Sequence, residues 1–341
     1  MEIRLLEKED DLEVLPKYIK EWVQHFPEND YIIVFLYLNK QLQCVAPFLL
    51  EKKKVFFSFS ATFLRFTGFS EFNDFIFLKN DINKDNCYKA IFEYLFLNVS
   101  FDLISLGKIR GDSYLFWYLK KSIWGKYLSF STEVPFNVLC EGMNSNNLKT
   151  QKKFMNKFKK NYDYQFHYYS GNKPETLLNE VINIYLKQYD YLSTEKHAKR
   201  FNIFSNDNFI NFINKIFHDE NTIVYFISVD EKIITYDISF LHGRELIRWN
   251  SGYDPDFAKS RPLYIQISEL FSYLQEKSEV KYFCWGNGGY PWKFQWTRNF
   301  HSLYEFEMPN LSSKKMAFLK SIFKYIEISK RLGLYYRLFY P

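Results

Sequence analysis

The stretch from Thr222 to Tyr253, TIVYFISVDEKIITYDISFLHGRELIRWNSGY, constrains the fold more than any other part of the chain. Three runs rich in β-branched and aromatic residues are separated by Asp230-Glu231 and by His242-Gly243, residue types that accept the backbone of a tight turn. They predict a three-stranded antiparallel meander. Pro262 then opens PLYIQISELF, whose apolar residues recur at helical spacing, and proline suits a first helical position because its missing N–H would have had no partner there. A short strand, VKYFCWG, and a Gly-rich segment, GNGGYPWKFQW, follow. Two helical patterns, TLLNEVINIYLKQYDYL and SNDNFINFINKIFHD, precede the meander.

The first half has the same order. It reads as a strand at Glu2 to Leu6, a helix from Leu12 to Phe26, and then YIIVFLYLNKQLQCVAPFLLEKKKVFFSF, strands joined by an Asn-Lys turn and a polar turn. FNDFIFL reads as another strand, Asn86 to Leu97 as a helix and Phe101 to Ile109 as a buried strand, with Asp112 or Ser113 capping a further helix. Identity between the halves is negligible, so only element order repeats. The expected fold is α/β, with mixed sheets of the α+β kind in two tandem domains, 1–145 and 146–341. Between them, NNLKTQKKFMNKFKKNYDYQFHYY places Lys149, Lys152, Lys153, Lys157, Lys159 and Lys160 around Phe154, Met155 and Phe158. This is a connecting helix with an apolar stripe on a domain interface, or else a contact for an anionic partner.

Composition narrows the class without naming the chemistry. The 37 Phe and 27 Tyr accompany many Asn, Lys and Ile, as an AT-biased genome would produce, so they are not read as a nucleic-acid platform. A net charge of +6 fits an anionic small substrate as well as weak nucleic-acid contact, and does not choose between them. Cys44, Cys87, Cys140 and Cys284 form no CxxC pair and have no neighbouring His, so no metal site and no disulfide framework is expected. The N-terminal MEIRLLEKEDDLEVL lacks a signal-peptide core, and no run approaches the ~18 apolar residues of a membrane span. A cytoplasmic protein without a transmembrane segment is expected.

The start of the Pro262 helix raises a question of charge. Lys259 and Arg261 flank it, and cations at a helix N-terminus oppose the macrodipole. Either they are solvated surface residues or an anion belongs between them, held by the first-turn N–H groups of Leu263, Tyr264 and Ile265. Ser260 could also act as an ordinary N-cap.

KKFMNKFKKNYDYQFHYY, WNSGYDPDFAKSRPLYIQISELF and VKYFCWGNGGYPWKFQWT together resemble the tandem GNAT-fold acyltransferases and, more remotely, the FemABX peptidyltransferases. The most specific features are Tyr253-Asp254 after a strand, Ser260-Arg261-Pro262 entering a helix, and Gly286, Gly288, Gly289, Tyr290 and Lys293 after the next strand. The chain departs from the family pattern at Arg261 and Leu263, where glycine is more usual, and at Trp285, where an Asp often stands. The resemblance implies that 146–341 binds acyl-CoA and 1–145 serves the acceptor. Coenzyme A pyrophosphate is then expected at Lys259, Ser260, Arg261, Pro262, Leu263 and Tyr264. The strand IITYDISFL is expected to splay from its neighbour, with an amide near Tyr236 to Ile238 donating to the thioester oxygen.

Acyl transfer to an amine needs a neutral amine, an oxyanion donor and a proton for the departing thiolate. Asp237, an acid within an apolar strand, needs a partner or a function. Asp74 interrupts an aromatic run and is a turn residue or a base, and His242 is a turn residue or a base. Tyr253 and Tyr290 are candidate proton donors or packed rings. Glu71, Asn73, Asn250, Tyr290, Trp292 and Lys293 are the candidate substrate contacts, with Lys293 placed to meet phosphate. The resemblance further implies an N-acyltransferase moving a 3-hydroxybutanoyl or acetyl group from CoA to a nucleotide-linked, dTDP-type amino-deoxy sugar of surface-polysaccharide synthesis. The alternatives are a FemABX-like aminoacyl or peptidyl transferase, a glycan O-acyltransferase, and a degenerate GNAT scaffold that binds RNA or an anionic membrane.

Overall fold

The computed structural model describes residues 2–6, 12, 15–56, 59–68, 70–79, 81–141, 145–195, 201–310 and 313. They form two compact units, one comprising Met1–Ser131 with the chain from Leu303 onward, the other Thr132–Ser302.

The first unit holds β1 (Glu2–Leu5), α1 (Lys17–His25), β2 (Asp30–Leu38), β3 (Gln41–Phe56), β4 (Phe59–Phe66), β5 (Ile76–Phe77), α2 (Lys84–Asn98), β6 (Leu103–Arg110) and α3 (Tyr114–Lys121). Its sheet runs β1-β2-β3-β4-β6, with β5 on β3, and β6 is paired on its far side by a strand that begins upstream at Asn299 and ends at Pro309. Asn39 and Lys40 both take positive φ, 50° and 63°, the pair of values a two-residue hairpin requires. The expected helix from Leu12 begins instead at Lys17, because Pro16 stands at its N-cap with extended ψ. FNDFIFL contributes only the two residues of β5, and its first residues are loop. Ser113, not Asp112, caps α3 by accepting from the Phe116 N–H.

The second unit follows with β7 (Leu128–Val138), α4 (Ser145–Asn161), β8 (Tyr164–Tyr169), α5 (Leu177–Thr194), α6 (Asp207–Phe217), β9 (Thr222–Val229), β10 (Lys232–His242), β11 (Glu245–Tyr253), α7 (Pro262–Lys277) and β12 (Tyr282–Cys284); the strand from Asn299 to Pro309 is β13. Its strand order is β7-β12-β11-β10-β9-β8. The meander β9-β10-β11 is antiparallel as expected, and Asp230 and Glu231 take φ of 48° and 62° at its first turn. At the second turn His242 is still strand, and Gly243 supplies the positive φ of 58°. Leu246, Tyr225, Phe283 and Trp285 form a core with Leu270 and Phe271 of α7.

The apolar stripe of α4 packs inside this unit. Phe158 is buried with Ile227, Val229, Ile234 and Ile265, and Phe154 and Met155 lie against that cluster. The stripe expected on a domain interface is thus core, while Lys152, Lys153, Lys157, Lys159 and Lys160 are exposed. The side chain of Lys149 lies outside the described residues.

Gly252 of β11 admits the Tyr236 ring. A Cβ there would stand 2.6 Å from one ring carbon and 2.9 Å from the Gln188 side-chain oxygen. Gly252→Ala should therefore destabilise the unit by about 1–3 kcal/mol, as overpacking does. Urea unfolding that leaves the midpoint unchanged would contradict this packing.

Candidate functional site

β10 lies inside the sheet. From Thr235 to Phe240 it is paired with β9 on one side and β11 on the other, and Tyr236 and Ile238 are buried. The expectation that this strand splays, with amides near Tyr236 to Ile238 facing a cofactor, is corrected by that pairing. The strand that parts from a neighbour is β11.

β11 pairs with β12 in parallel over Glu245 to Ile247 only, ending at Ile247 opposite Cys284. On its other side it stays with β10 as far as Tyr253. Beyond Cys284 the chain stays with β7, which already pairs β12 from Tyr282 to Cys284: the Trp285 N–H donates to the Pro135 carbonyl at 2.9 Å. Arg248 pairs with Ser239 and Asn250 with Ile238, so Trp249 is an extra residue on β11. Such a bulge bends its strand, here at the point where β11 loses β12. The result is a fork whose open edge is Arg248 to Tyr253.

Arg248 and Trp285 are the first residues past the fork on either side. The guanidinium carbon of Arg248 lies 5.8 Å from the ring centroids of both Trp285 and Trp292. Its Nε donates to the Asp237 carboxylate, which also accepts from Ser239 Oγ at 2.9 Å. Asp237 is 0% and Arg248 5% exposed, so the pair is fully desolvated. Burial pushes the Asp237 carboxyl up to about 6, with Arg248 and Ser239 opposing the rise. Asp237 is therefore an ion-pair anchor in this structure.

The α7 end of the fork is built differently from an ordinary helix start. Arg261 is the N-cap residue and is left-handed, with φ and ψ both 54°, a conformation that disfavours a side chain by roughly 1–2 kcal/mol and that glycine takes freely. No side chain caps α7, and its first turn holds no acid. The expected cap Ser260 is instead 3.1 Å from the Tyr162 hydroxyl. Of the three N–H groups expected to be free, that of Tyr264 donates to the Arg261 carbonyl at 3.0 Å. The Arg261 guanidinium lies 4.6 Å from the Phe154 ring centroid, and Lys259 is exposed.

Asp254 fixes the approach to this start. It caps the turn Pro255–Ser260 by accepting from the Asp256 N–H, and binds Lys232 at 2.8 Å and Lys187 at 3.3 Å. Burial works to raise its carboxyl, but Lys232, the Asp256 amide and Lys187 outweigh it and hold the group below the usual carboxylate range.

The remaining expected residues divide. Tyr236 donates to Asn250 Oδ1 at 2.6 Å, and Tyr253 ends β11. Trp292 and Tyr290 are 44% and 58% exposed on the loop after β12, whereas Trp285 and Trp296 are core. Lys293 is buried and donates to the carbonyls of Gly286 and Asn287 at 2.8 and 2.7 Å. Its ammonium ties the loop together, which corrects the expected phosphate contact. His242 is exposed at the hairpin, the opposite end of β11 from Tyr253 and about 26 Å along the strand.

Asp74, Asn73 and Glu71 belong to the first unit. Asp74 accepts from Tyr88 at 2.8 Å and from the Phe75 N–H at 2.6 Å, and Asn73 donates to the Gly107 carbonyl at 3.0 Å. Glu71 is half-buried in the same loop. Burial pushes the Asp74 carboxyl up to about 6, against the Tyr88 hydrogen bond. That unit's α2 has an ordinary start, with Asn83 accepting from the Asn86 N–H at 3.1 Å and Asp85 in the first turn. Among the described residues no group of three or more His, Cys, Asp or Glu is placed to hold a metal ion, and no helix is long and apolar enough to cross a membrane.

Arg248 and Asp254 carry much of this geometry and were not among the expected site residues. Arg248 follows Leu246 by two, on the same strand face, so the alternation that marks Asp237 as buried also marks its partner.

Comparison with known proteins agrees with this architecture. Residues 145–294 match the family model described as an acetyltransferase (GNAT) domain, a stretch that lies wholly in the second unit. Such a domain is one of acyl transfer and implies use of acyl-CoA. Among solved structures the chain is similar to L-PGS from Bacillus licheniformis, with a TM-score of 0.55 at 12% identity over 92% of this chain and 95% of that one. It is similar to FemX, with a TM-score of 0.55 at 9% identity over 90% and 98%. It also resembles the C-terminal domain of a putative lysylphosphatidylglycerol synthetase from Agrobacterium fabrum, with a TM-score of 0.52 at 9% identity over 91% and 92%. The fold is thus mixed α/β of the tandem GNAT type. No curated protein matches the sequence.

The raised Asp74 carboxyl has a measurable consequence. A folded-state value of about 6 against an unfolded 3.8 means the folded protein holds the extra proton between those values. Its contribution is present below the unfolded value and is lost as pH rises through the folded one, up to about 3 kcal/mol in all. Asp74→Asn should flatten the fall of unfolding free energy between pH 4 and 6.5. An unchanged slope would show that Asp74 titrates normally.

Proposed function

We propose that this chain is an acyl-CoA-dependent N-acyltransferase whose donor site is the fork of the second unit. One observation carries the reading. Two helices hold the same place in the element order of the two units, and only α2 has its first turn satisfied by its own side chains. α7 has no side-chain cap and no acid, and it is flanked by Lys259 and Arg261. A pyrophosphate fits that start, because it supplies the negative charge that the dipole and both cations call for. The thioester arm then lies along the open edge of β11 toward the fork, and a β11 amide between Arg248 and Asn250 takes the role first assigned to β10.

In the proposed reaction the acceptor amine attacks the thioester carbonyl. The C–N bond forms, the C–S bond breaks, the amine gives up a proton and the thiolate takes one. Tyr253 and Tyr290 are the side chains we assign to protonating the thiolate. The buried Asp237 is assigned to holding Arg248, and His242 is set aside as too distant. We assign the acceptor to the N-terminal part, residues 1–145, where Glu71 and Asn73 are its proposed contacts and Asp74 the proposed base. For the acceptor we propose the amine of a dTDP-type amino-deoxy sugar used in surface-polysaccharide synthesis, with acetyl or 3-hydroxybutanoyl as the acyl group. The family resemblance and the net positive charge support this choice.

Free thiol should be released when acetyl-CoA or 3-hydroxybutanoyl-CoA is mixed with the protein and a dTDP-linked amino sugar. The Lys259→Ala/Arg261→Ala double variant should raise KM for acyl-CoA by about tenfold or more. Thiol release that depends on a hydroxyl sugar and not an amino sugar would contradict N-transfer. Absence of both thiol release and any CoA-dependent rise in Tm would overturn the enzyme reading.

A further inference from the structure

One buried cation in the second unit has unused hydrogen-bonding capacity. Arg248 is 5% exposed and spends its Nε on Asp237, yet its Nη2 is shielded from solvent and has no hydrogen-bond partner among the described residues. A buried guanidinium N–H left unsatisfied is unfavourable, and native structures retain few such groups. Its position gives the deficit a meaning. Arg248 is the first residue of β11 past the last pair, Ile247 with Cys284, and its guanidinium lies over Trp285, the first residue past that pair on the other strand. The guanidinium that carries the unused donor thus belongs to the residue at the fork and lies against the Trp285 ring.

We propose that Arg248 Nη2 reads a neutral oxygen on the acyl chain of the donor, so that the donor is a hydroxyacyl- or oxoacyl-CoA and not a plain alkanoyl-CoA. This inference rests on the acyl-CoA reading of the fork and narrows it. Charge balance selects the neutral oxygen. Asp237 already compensates Arg248, and a second carboxylate in this desolvated place would leave a net negative charge buried. The rings explain the remaining preference. Arg248 lies at the same 5.8 Å from Trp292 as from Trp285, and the two rings are nearly perpendicular at 87°, which offers an apolar corner for a short chain carrying one polar group. A site built around a donor of this kind rejects analogues that leave it unpaired.

The test is calorimetric titration of the full chain with CoA, butanoyl-CoA, 3-hydroxybutanoyl-CoA and succinyl-CoA. The wild-type protein should bind 3-hydroxybutanoyl-CoA about tenfold or more tightly than butanoyl-CoA. Arg248→Met alone would strand a buried carboxylate, so the second arm uses Asp237→Asn/Arg248→Met, checked for cooperative melting. In it the preference should shrink to within about twofold while CoA itself still binds. Equal wild-type affinity for the two four-carbon donors, a preference for succinyl-CoA, or a preference that survives the double substitution would each overturn the assignment. If the double variant does not melt cooperatively, the wild-type series alone decides. Failure of CoA and every derivative to bind would instead refute the acyl-CoA reading on which the assignment stands.

Discussion

A strand can keep two neighbours only while both run alongside it, and β11 keeps one for its whole length and the other for three residues. The rest of the second unit follows from that mismatch. The extra residue at Trp249 turns β11 away just after Ile247, and the Trp285 N–H commits the chain beyond β12 to Pro135. Backbone groups from Arg248 to Tyr253 therefore face an edge that no strand among the described residues pairs. Edges of this kind invite an extended ligand, because its polar groups can complete the ladder.

The ion pair between Asp237 and Arg248 sets the electrostatics of that edge. Desolvating two charges is expensive, and in general a well-packed apolar pair would be at least as stable. The pair is surrounded by compensations: Ser239 donates to the carboxylate, and the indoles of Trp285 and Trp292 face the guanidinium. The local charge is thereby near zero, while Lys259 and Arg261 leave the α7 start positive. A ligand with a doubly charged head and a neutral reactive end matches this gradient. The left-handed Arg261 belongs to the same design. Strain of this kind is held in place by what surrounds it, here the Asp254 capped turn and the rings of Phe154 and Tyr264.

Much of this was legible in the residues. Asn39-Lys40 and Asp230-Glu231 announced their turns because Asn and Asp tolerate positive φ, and Pro262 announced α7 because it lacks an N–H. The stripe of Phe154, Met155 and Phe158 was legible as apolar but not as to what it covers, since periodicity says nothing of the partner surface. The choice between β10 and β11 as the splayed strand was not legible. Both read as strands of one meander, and only the three-residue register with β12 decides. β13 carries a partial strand signal: Leu303, Phe306 and Met308 are buried, and Glu305 and Glu307 are exposed. Its bulge between Tyr304 and Phe306 breaks the simple period. Lys293 shows the limit of reading charge alone, because two loop carbonyls, invisible in the sequence, claim its ammonium.

The most direct measurement is amide hydrogen exchange of the full chain with and without saturating CoA, read residue by residue. The account predicts slowed exchange at amides between Arg248 and Tyr253 and in the first turn of α7, with the first turn of α2 unchanged. Protection at α2, or CoA binding that leaves both the β11 edge and the α7 start unprotected, would contradict it.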